Sequence, residues 1–215
     1  MALDERMTVL DALIRVQREA DGSIGFRCSC RVGMCGTCAA HVNRIPRLLC
    51  STLVKTLDSD VVTVEPLPHY PVIKDLAVSL APFFAQWRRA RPAFRPTRAD
   101  APTLAVIGKD STFRQLTATK RDCITCGACY AACSITGMNA RYLGPAAINK
   151  ALLRILDPRD AAGADRRKVL DHSDGVWRCH TQFNCTAVCP RHIDLTDSIV
   201  RLKRALVRPG KALTV

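Results

Sequence analysis

The sequence predicts an α+β chain, with a small mixed α/β domain over residues 1–78 and an all-helical domain over residues 79–215. Three observations support this division. Strand-like alternation is confined to the first part, helical periodicity dominates after about residue 73, and the cysteines form two widely separated groups, 28–50 and 123–189. A chain of 215 residues that is 48% hydrophobic is large enough to form two such cores.

The first domain begins with a predicted helix over residues 8–19. Thr8 precedes apolar residues at helical spacing, and Asp11 stands where a capping box places its acidic partner. After a loop rich in glycine and cysteine, the pattern predicts a hairpin with strands over 39–42 and 45–50. These elements describe a small sheet next to one helix.

The remaining elements follow from periodicity and from prolines. An apolar run over 61–64 predicts a strand, and Pro66 and Pro68 end it. From about residue 73 the pattern is helical, with the clearest apolar stripes over 145–156 and 193–207. The segment 88–102 is rich in arginine and proline, which predicts an irregular crossing of the surface.

Composition limits the cellular setting. No apolar run approaches the roughly 20 residues that a membrane helix needs, and the first twenty residues mix charged and apolar positions, unlike a signal peptide. The chain is therefore expected in the cytosol, where thiols stay reduced. Twelve cysteines in that compartment indicate metal binding and not disulphides.

The net charge of +13 raises nucleic acid or an anionic membrane surface as a partner. Thiolate-bound clusters each carry about −2, so three of them would lower the charge to about +7. Aromatic residues make up only 5% of the chain, which does not favour a nucleic-acid binding face. A zinc- or cluster-bearing nucleic-acid binder stays a remote alternative, and no nucleic-acid partner is expected.

The first cysteine group has the spacing x4, x2 and x11, which is typical of plant-type [2Fe–2S] proteins. Its members are Cys30, Cys35, Cys38 and Cys50. Two irons need four thiolates and a tight loop whose amides face the sulphurs, and Gly33 and Gly36 permit such a loop. A zinc knot is the alternative. Cys28, next but one to Cys30, is interpreted as a non-ligand, with a redox or exchange role as the alternative.

The second group consists of two runs that resemble bacterial ferredoxin motifs, in which the fourth cysteine ligates the other cluster. The first run is Cys123, Cys126, Cys129 and Cys133, and the second is Cys179, Cys185 and Cys189. Gln182 stands where the second run would have another cysteine.

The crossed rule gives one group of four thiolates and one of three. A [4Fe–4S] cluster is expected on Cys123, Cys126, Cys129 and Cys189, and a [3Fe–4S] cluster on Cys133, Cys179 and Cys185. A [4Fe–4S] cluster with water or another fourth ligand is the competing interpretation of the three-thiolate group. No nucleotide-binding motif accompanies the cysteines, so the chain reads as an electron carrier with no catalytic residues of its own.

These motifs closely resemble the iron–sulphur subunit of succinate dehydrogenase and fumarate reductase, the electron-transfer arm of respiratory complex II. The resemblance runs from about residue 8 to 207. The matching stretches are SCRVGMCGTC with Cys50, CITCGACYAAC, LGPAAI, DPRD and DGVWRCH with VCPRH. The resemblance implies a plant-type ferredoxin-like (β-grasp) domain followed by a bacterial ferredoxin-like dicluster domain.

The resemblance also implies cofactors and partners. Electrons would pass between FAD on a flavoprotein subunit and a quinone at membrane anchor subunits, through the two-, four- and three-iron clusters in that order. The chain would be peripheral, on the cytoplasmic face of the inner or plasma membrane. His180 and Lys203 match positions close to the quinone head group, where a donor would stabilise developing negative charge. The arm of another flavoenzyme, or of a heterodisulphide-type reductase, is the alternative.

Three departures from the family pattern qualify this resemblance. The chain starts where the family's first β-hairpin should end, so the first domain is expected to lack that hairpin. Ser134 replaces the usual proline after the fourth cysteine of the first run. Met138 stands where the ubiquinone-linked members commonly have tryptophan. The last departure favours the fumarate-reductase branch and menaquinone.

Overall fold

A computed structural model describes residues 4–97 and 106–207. Its first element is helix α1, Val9–Glu19, which begins at the predicted capping box. The Thr8 hydroxyl accepts a hydrogen bond from the Asp11 N–H at 3.1 Å, and the Asp11 carboxylate accepts one from the Thr8 N–H at 3.0 Å. The helix buries Val9 and Leu10 against the neighbouring sheet.

The sheet of the first domain has three strands in the order β2-β1-β3. Strand β1 is Ala39–Val42, β2 is Ile45–Leu48 and β3 is Val64–Glu65, and both neighbours pair with β1 in antiparallel fashion. The predicted hairpin is confirmed, but its second strand ends two residues early because Leu49–Ser51 forms a 3₁₀ turn. The predicted strand over 61–64 is reduced to its last residue plus Glu65.

The prediction that helix begins near residue 73 is wrong. The chain forms a second hairpin there, with β4 at Val72–Lys74 and β5 at Ala77–Val78. Asp75 turns the chain with φ +46°, and its carboxylate accepts a 2.7 Å hydrogen bond from the Gly25 N–H. This long-range contact fixes the turn, and no local periodicity reveals it.

The second domain is helical, as predicted. Its helices in the described residues are α2 (Ala81–Arg89), α3 (Thr112–Thr117), α4 (Ala128–Ala131), α5 (Ser134–Met138), α6 (Pro145–Leu156), α7 (Gly163–Leu170), α8 (Asn184–Ala187) and α9 (Leu195–Val207). Helices α6 and α9 pack together and bury Ile148, Leu152, Ile199 and Leu202. Within the described ranges, no helix combines the length and apolar composition needed to cross a membrane.

The arginine-rich segment is irregular and mostly exposed over residues 91–97, as predicted, but it is tied to the rest of the second domain. Arg166 on α7 is 1% exposed and donates to the carbonyls of Arg91 and Ala93 at 2.8 and 2.6 Å. Its guanidinium also binds the buried Asp160 carboxylate at 2.5 Å. Residues 91–97 are thereby held against the second domain, while 98–102 of the predicted segment lie outside the described residues.

The two domains touch through backbone and side chain. A Cβ on Gly36 would lie 2.7 Å from the Cβ of Cys126, so the first cysteine loop contacts the second directly. The hydroxyl of Tyr70 donates to the carbonyl of Gly127 at 3.0 Å. Residues on both sides of position 78 share one core, and the boundary at that position stays a prediction.

Candidate metal centres

The first cysteine loop directs its backbone amides at sulphur. The N–H groups of Met34 and Cys35 each donate to the Cys30 sulphur at 3.3 Å, and the Gly33 N–H donates to the Cys50 sulphur at 3.2 Å. Thr37 makes a similar N–H contact to the Cys35 sulphur at 3.5 Å. Amide donors stabilise negative charge on thiolates, so the loop is organised for an anionic sulphur site.

This loop has an exposed rim and a buried floor. Cys35 is exposed, and hydrogen bonds from the Thr37 side chain and from Cys30 lower its pKa to about 6. Cys38 is buried, and burial raises its pKa to about 12. On the rim, Val32 and Met34 are 70% and 62% exposed, so an apolar surface surrounds the outer ligand candidates.

Four further thiols line one apolar cavity in the second domain. They are Cys123, Cys126, Cys129 and Cys189. Burial raises the pKa of each of the first three, to about 11 for Cys126, and the neighbouring thiols add to the effect. Thiols in this setting hold their protons until a cation replaces them. The structure thus brings Cys189, from the far end of the domain, to the first run as the crossed rule predicts.

The three thiols of the other predicted group line a neighbouring cavity. They are Cys133, Cys179 and Cys185. Gln182 lines the same cavity, and the Ser134 hydroxyl donates a 2.7 Å hydrogen bond to its side-chain oxygen. Ser134 and Gln182, the two departures from a full ferredoxin motif, are therefore partners in space.

The other residues singled out from the sequence are His180, Lys203 and Cys28. His180 lines the three-thiol cavity, and the Lys203 ammonium donates to the Cys179 carbonyl at 2.7 Å. Cys28 is half-buried and packs against the core of the first domain. Tyr142, which sequence reasoning missed, packs beside the three-thiol group with its hydroxyl buried and unpartnered. Its only sequence signal is its place directly before the LGPAAI stretch.

The thiols surround cavities instead of converging on a point. All twelve cysteines lie in described residues, and each is free. Within the described part of the chain, no three His, Cys, Asp or Glu side chains come close enough together to hold a single metal ion. The donor sets, four thiols in one group and three in the other, are the kind that a cluster of irons and sulphides takes.

Two family profiles match the chain, one in each half. One described as "2Fe-2S iron-sulfur cluster binding domain" matches residues 1–85, and one described as "4Fe-4S dicluster domain" matches residues 119–193. The first profile covers the amide-lined loop, and the second covers both cavities of the helical domain.

Known proteins match along most of the chain. A fumarate reductase iron–sulphur subunit of Mycobacterium tuberculosis is 37% identical over 207 residues, covering 94% of this chain and 81% of that protein. A succinate dehydrogenase iron–sulphur subunit of Paracoccus denitrificans is 36% identical over 206 residues, covering 93% and 76%. A chain of the Mycobacterium smegmatis Sdh1 complex in the apo form superposes with a TM-score of 0.87 at 27% identity, covering 97% and 89%.

Proposed function

The chain belongs to the family of iron–sulphur subunits of succinate dehydrogenase and fumarate reductase, and we propose that it passes electrons between FAD of a flavoprotein subunit and a membrane quinone. It is the electron-transfer subunit of an oxidoreductase complex.

The cluster assignment follows the three thiol groups. A [2Fe–2S] cluster is held by Cys30, Cys35, Cys38 and Cys50, a [4Fe–4S] cluster by Cys123, Cys126, Cys129 and Cys189, and a [3Fe–4S] cluster by Cys133, Cys179 and Cys185. When bound, these groups supply one-electron redox chemistry. The observation that carries the assignment is the sharing of each helical-domain cavity by thiols from both cysteine runs.

The two-iron site and the three-iron site face different partners. The exposed rim around Val32 and Met34 supports contact with a flavoprotein subunit that carries FAD. At the other end, His180 and Lys203 lie beside the three-thiol cavity, where they would orient a quinone supplied by membrane anchor subunits. The chain itself has no substrate-converting site and attaches peripherally, on the cytoplasmic side.

Met138 supports a menaquinone-linked complex. It lies on α5 after the three-iron ligand Cys133 and is 80% exposed, so it is available at the quinone end. Succinate:quinone and quinol:fumarate activities of the purified complex, measured with ubiquinone and menaquinone analogues, test this choice. Faster turnover with the ubiquinone analogue would contradict it.

The assignment is tested on the purified complex. It predicts about nine irons per chain, reduction of the clusters by succinate, and an EPR signal of an oxidised [3Fe–4S] cluster. Zinc in place of iron would refute the assignment at every site. Ten irons without the three-iron signal would refute the third site alone.

A further inference from the structure

A few buried hydrogen-bond donors have no partner among the described residues. Over residues 4–97 and 106–207, the buried side-chain nitrogen and oxygen atoms in this condition are Arg47 Nε, Tyr142 Oη and Arg191 Nε. A buried donor without an acceptor is costly, and native structures contain few of them. Arg191 lines the cavity of the four thiols, and Tyr142 belongs to the core against which Cys133 and Cys179 pack.

Tyr142 is the more deeply buried of these two. It is 1% exposed, and Cys133 and Cys179 pack against the core to which it belongs. Burial raises the pKa of its phenol well above the usual range, and the thiols of Cys179, Cys133 and Cys185 raise it further. Tyr142 therefore lies in the same core as two of the three thiols of this group.

The cost of a buried donor without an acceptor comes from the hydroxyl alone. A phenylalanine would fill the same space without a hydroxyl, whereas the Tyr142 hydroxyl meets no acceptor with hydrogen-bond geometry among the described residues. A cluster held by the three thiols supplies sulphur acceptors in that direction. We propose that Tyr142 donates its O–H to a sulphur of the three-thiolate cluster and raises the reduction potential of that cluster.

The effect has a definite sign. Reduction adds one electron to the cluster, and its sulphurs become more negative while no covalent bond is made or broken. A hydrogen bond to sulphur stabilises the more negative state, so it favours reduction. This inference rests on the proposed cluster assignment and adds to it a residue that tunes the final carrier without ligating iron.

Arg191 is a second buried donor of this kind, and it lies at the other cavity. It lines the cavity of the four thiols, and its Nε has no partner. By the same argument, Arg191 Nε donates to the four-thiolate cluster. Tyr142 and Arg191 are thus assigned to different clusters, so each should tune one potential and leave the other unchanged.

The test is a potentiometric titration of the purified complex, followed by EPR. Tyr142→Phe removes only the hydroxyl, and we expect the one-electron reduction of the three-iron cluster to become about tenfold less favourable, or about 59 mV lower. Arg191→Lys keeps the charge but removes Nε, and we expect it to lower only the midpoint of the four-iron cluster. Tyr70→Phe is the matched control, since its hydroxyl already binds the Gly127 carbonyl, and it should leave the three-iron midpoint in place.

Each outcome decides the proposal. An unchanged three-iron midpoint in Tyr142→Phe, with the signal intact, overturns it while the cluster assignment stands. Absence of the three-iron signal in the wild-type complex overturns the assignment and this inference together. Should the variant fail to assemble, an experimental structure of the wild-type complex decides: Oη within hydrogen-bond distance of a cluster sulphur supports the proposal, and any other acceptor refutes it.

Discussion

Gly33 and Gly36 share one backbone conformation but have different surroundings. Both have φ +73°, which side chains of L-residues rarely adopt. A Cβ on Gly33 would meet only the Ser51 side chain, at 3.8 Å. A Cβ on Gly36 would lie 2.7 Å from the Cβ of Cys126 and 3.0 Å from its Cα. An alanine at either position must adopt the unfavourable backbone conformation, but only an alanine at position 36 would also collide with the other domain.

We expect Gly36→Ala to lose most of its two-iron cluster and Gly33→Ala to keep it. Each substitution costs about 1–2 kcal/mol for the left-handed conformation, but only Gly36→Ala must also displace backbone of the other domain. The EPR signal of the reduced two-iron cluster, measured per chain in the purified complex, reports the difference. Equal retention in the two variants would show that the domain contact does not position the loop.

Gln182 permits a direct test of the three-iron assignment. Gln182→Cys completes the cysteine motif in the second run, so a fourth iron gains a thiolate ligand. We expect the three-iron EPR signal to fall and the iron content to rise by about one per chain. Gln182→Ala is the control and should retain the signal, because alanine supplies no ligand.

The same residues show what sequence reasoning can find. The place of Gln182 follows from counting between Cys179 and Cys185, because cluster ligation leaves a fixed spacing in the chain. Its partner Ser134 could not be predicted, since the 2.7 Å contact joins residues 48 positions apart. Tyr142 carries no spacing signal at all, because its significance depends on burial, which only the fold reveals.

Among the elements, α7 is unusual because its buried stripe contains an arginine. Arg166 joins the Asp160 carboxylate to two carbonyls of the arginine-rich segment. Removing one partner of a buried ion pair commonly costs about 3–5 kcal/mol, since the other charge is left uncompensated. Arg166 should thus contribute strongly to the position of the segment 91–97, alongside the backbone hydrogen bonds that Arg95 and Thr97 make to Ala161 and Arg159.

We expect Arg166→Met to make the segment 91–97 accessible to trypsin, which cleaves after arginine. The rate of cleavage after Arg91 and Arg95, followed by mass spectrometry under limiting trypsin, should rise at least tenfold, which corresponds to about 1.4 kcal/mol of lost local stability. Arg167→Met is the control, because Arg167 is the exposed neighbour on the same helix. Equal rates in the two variants would refute this role for Arg166.

Elements with local signals were predicted well, and elements defined by distant contacts were not. The capping box at Thr8 and Asp11 located α1, and the apolar stripe over 145–156 located α6. The hairpin of β4 and β5 was missed because the Gly25 contact to Asp75 joins residues 50 positions apart. Short apolar runs near residue 73 are compatible with either period until that contact is known.

At the scale of the whole molecule, the cysteine loops depend on short helices. Helices α4, α5 and α8 have four, five and four residues, too few to be stable in isolation. The ligand candidates Cys129 and Cys185 lie on α4 and α8, and Cys133 directly precedes α5. The proposed clusters therefore hold these helices in place, whereas α6 and α9 have an apolar contact of their own.

Removal of the clusters should loosen the helical domain unevenly. After oxidative removal of iron with a chelator, we expect amide hydrogen exchange to accelerate by at least tenfold in α4, α5 and α8. Helices α6 and α9 should keep most of their protection, and so should α1. Hydrogen-exchange mass spectrometry of the holo and iron-depleted protein measures this, and uniform loss of protection would contradict it.

The crossed pairing of the cysteine runs also has a consequence for biosynthesis. The proposed ligands of the two-iron cluster lie within residues 30–50, so that site is complete early in translation. The four-iron site lacks Cys189 and the three-iron site lacks Cys185 until most of the described chain has left the ribosome. The two larger clusters must therefore be inserted late, into a nearly finished polypeptide, whereas the two-iron cluster can be inserted before the second domain has been made.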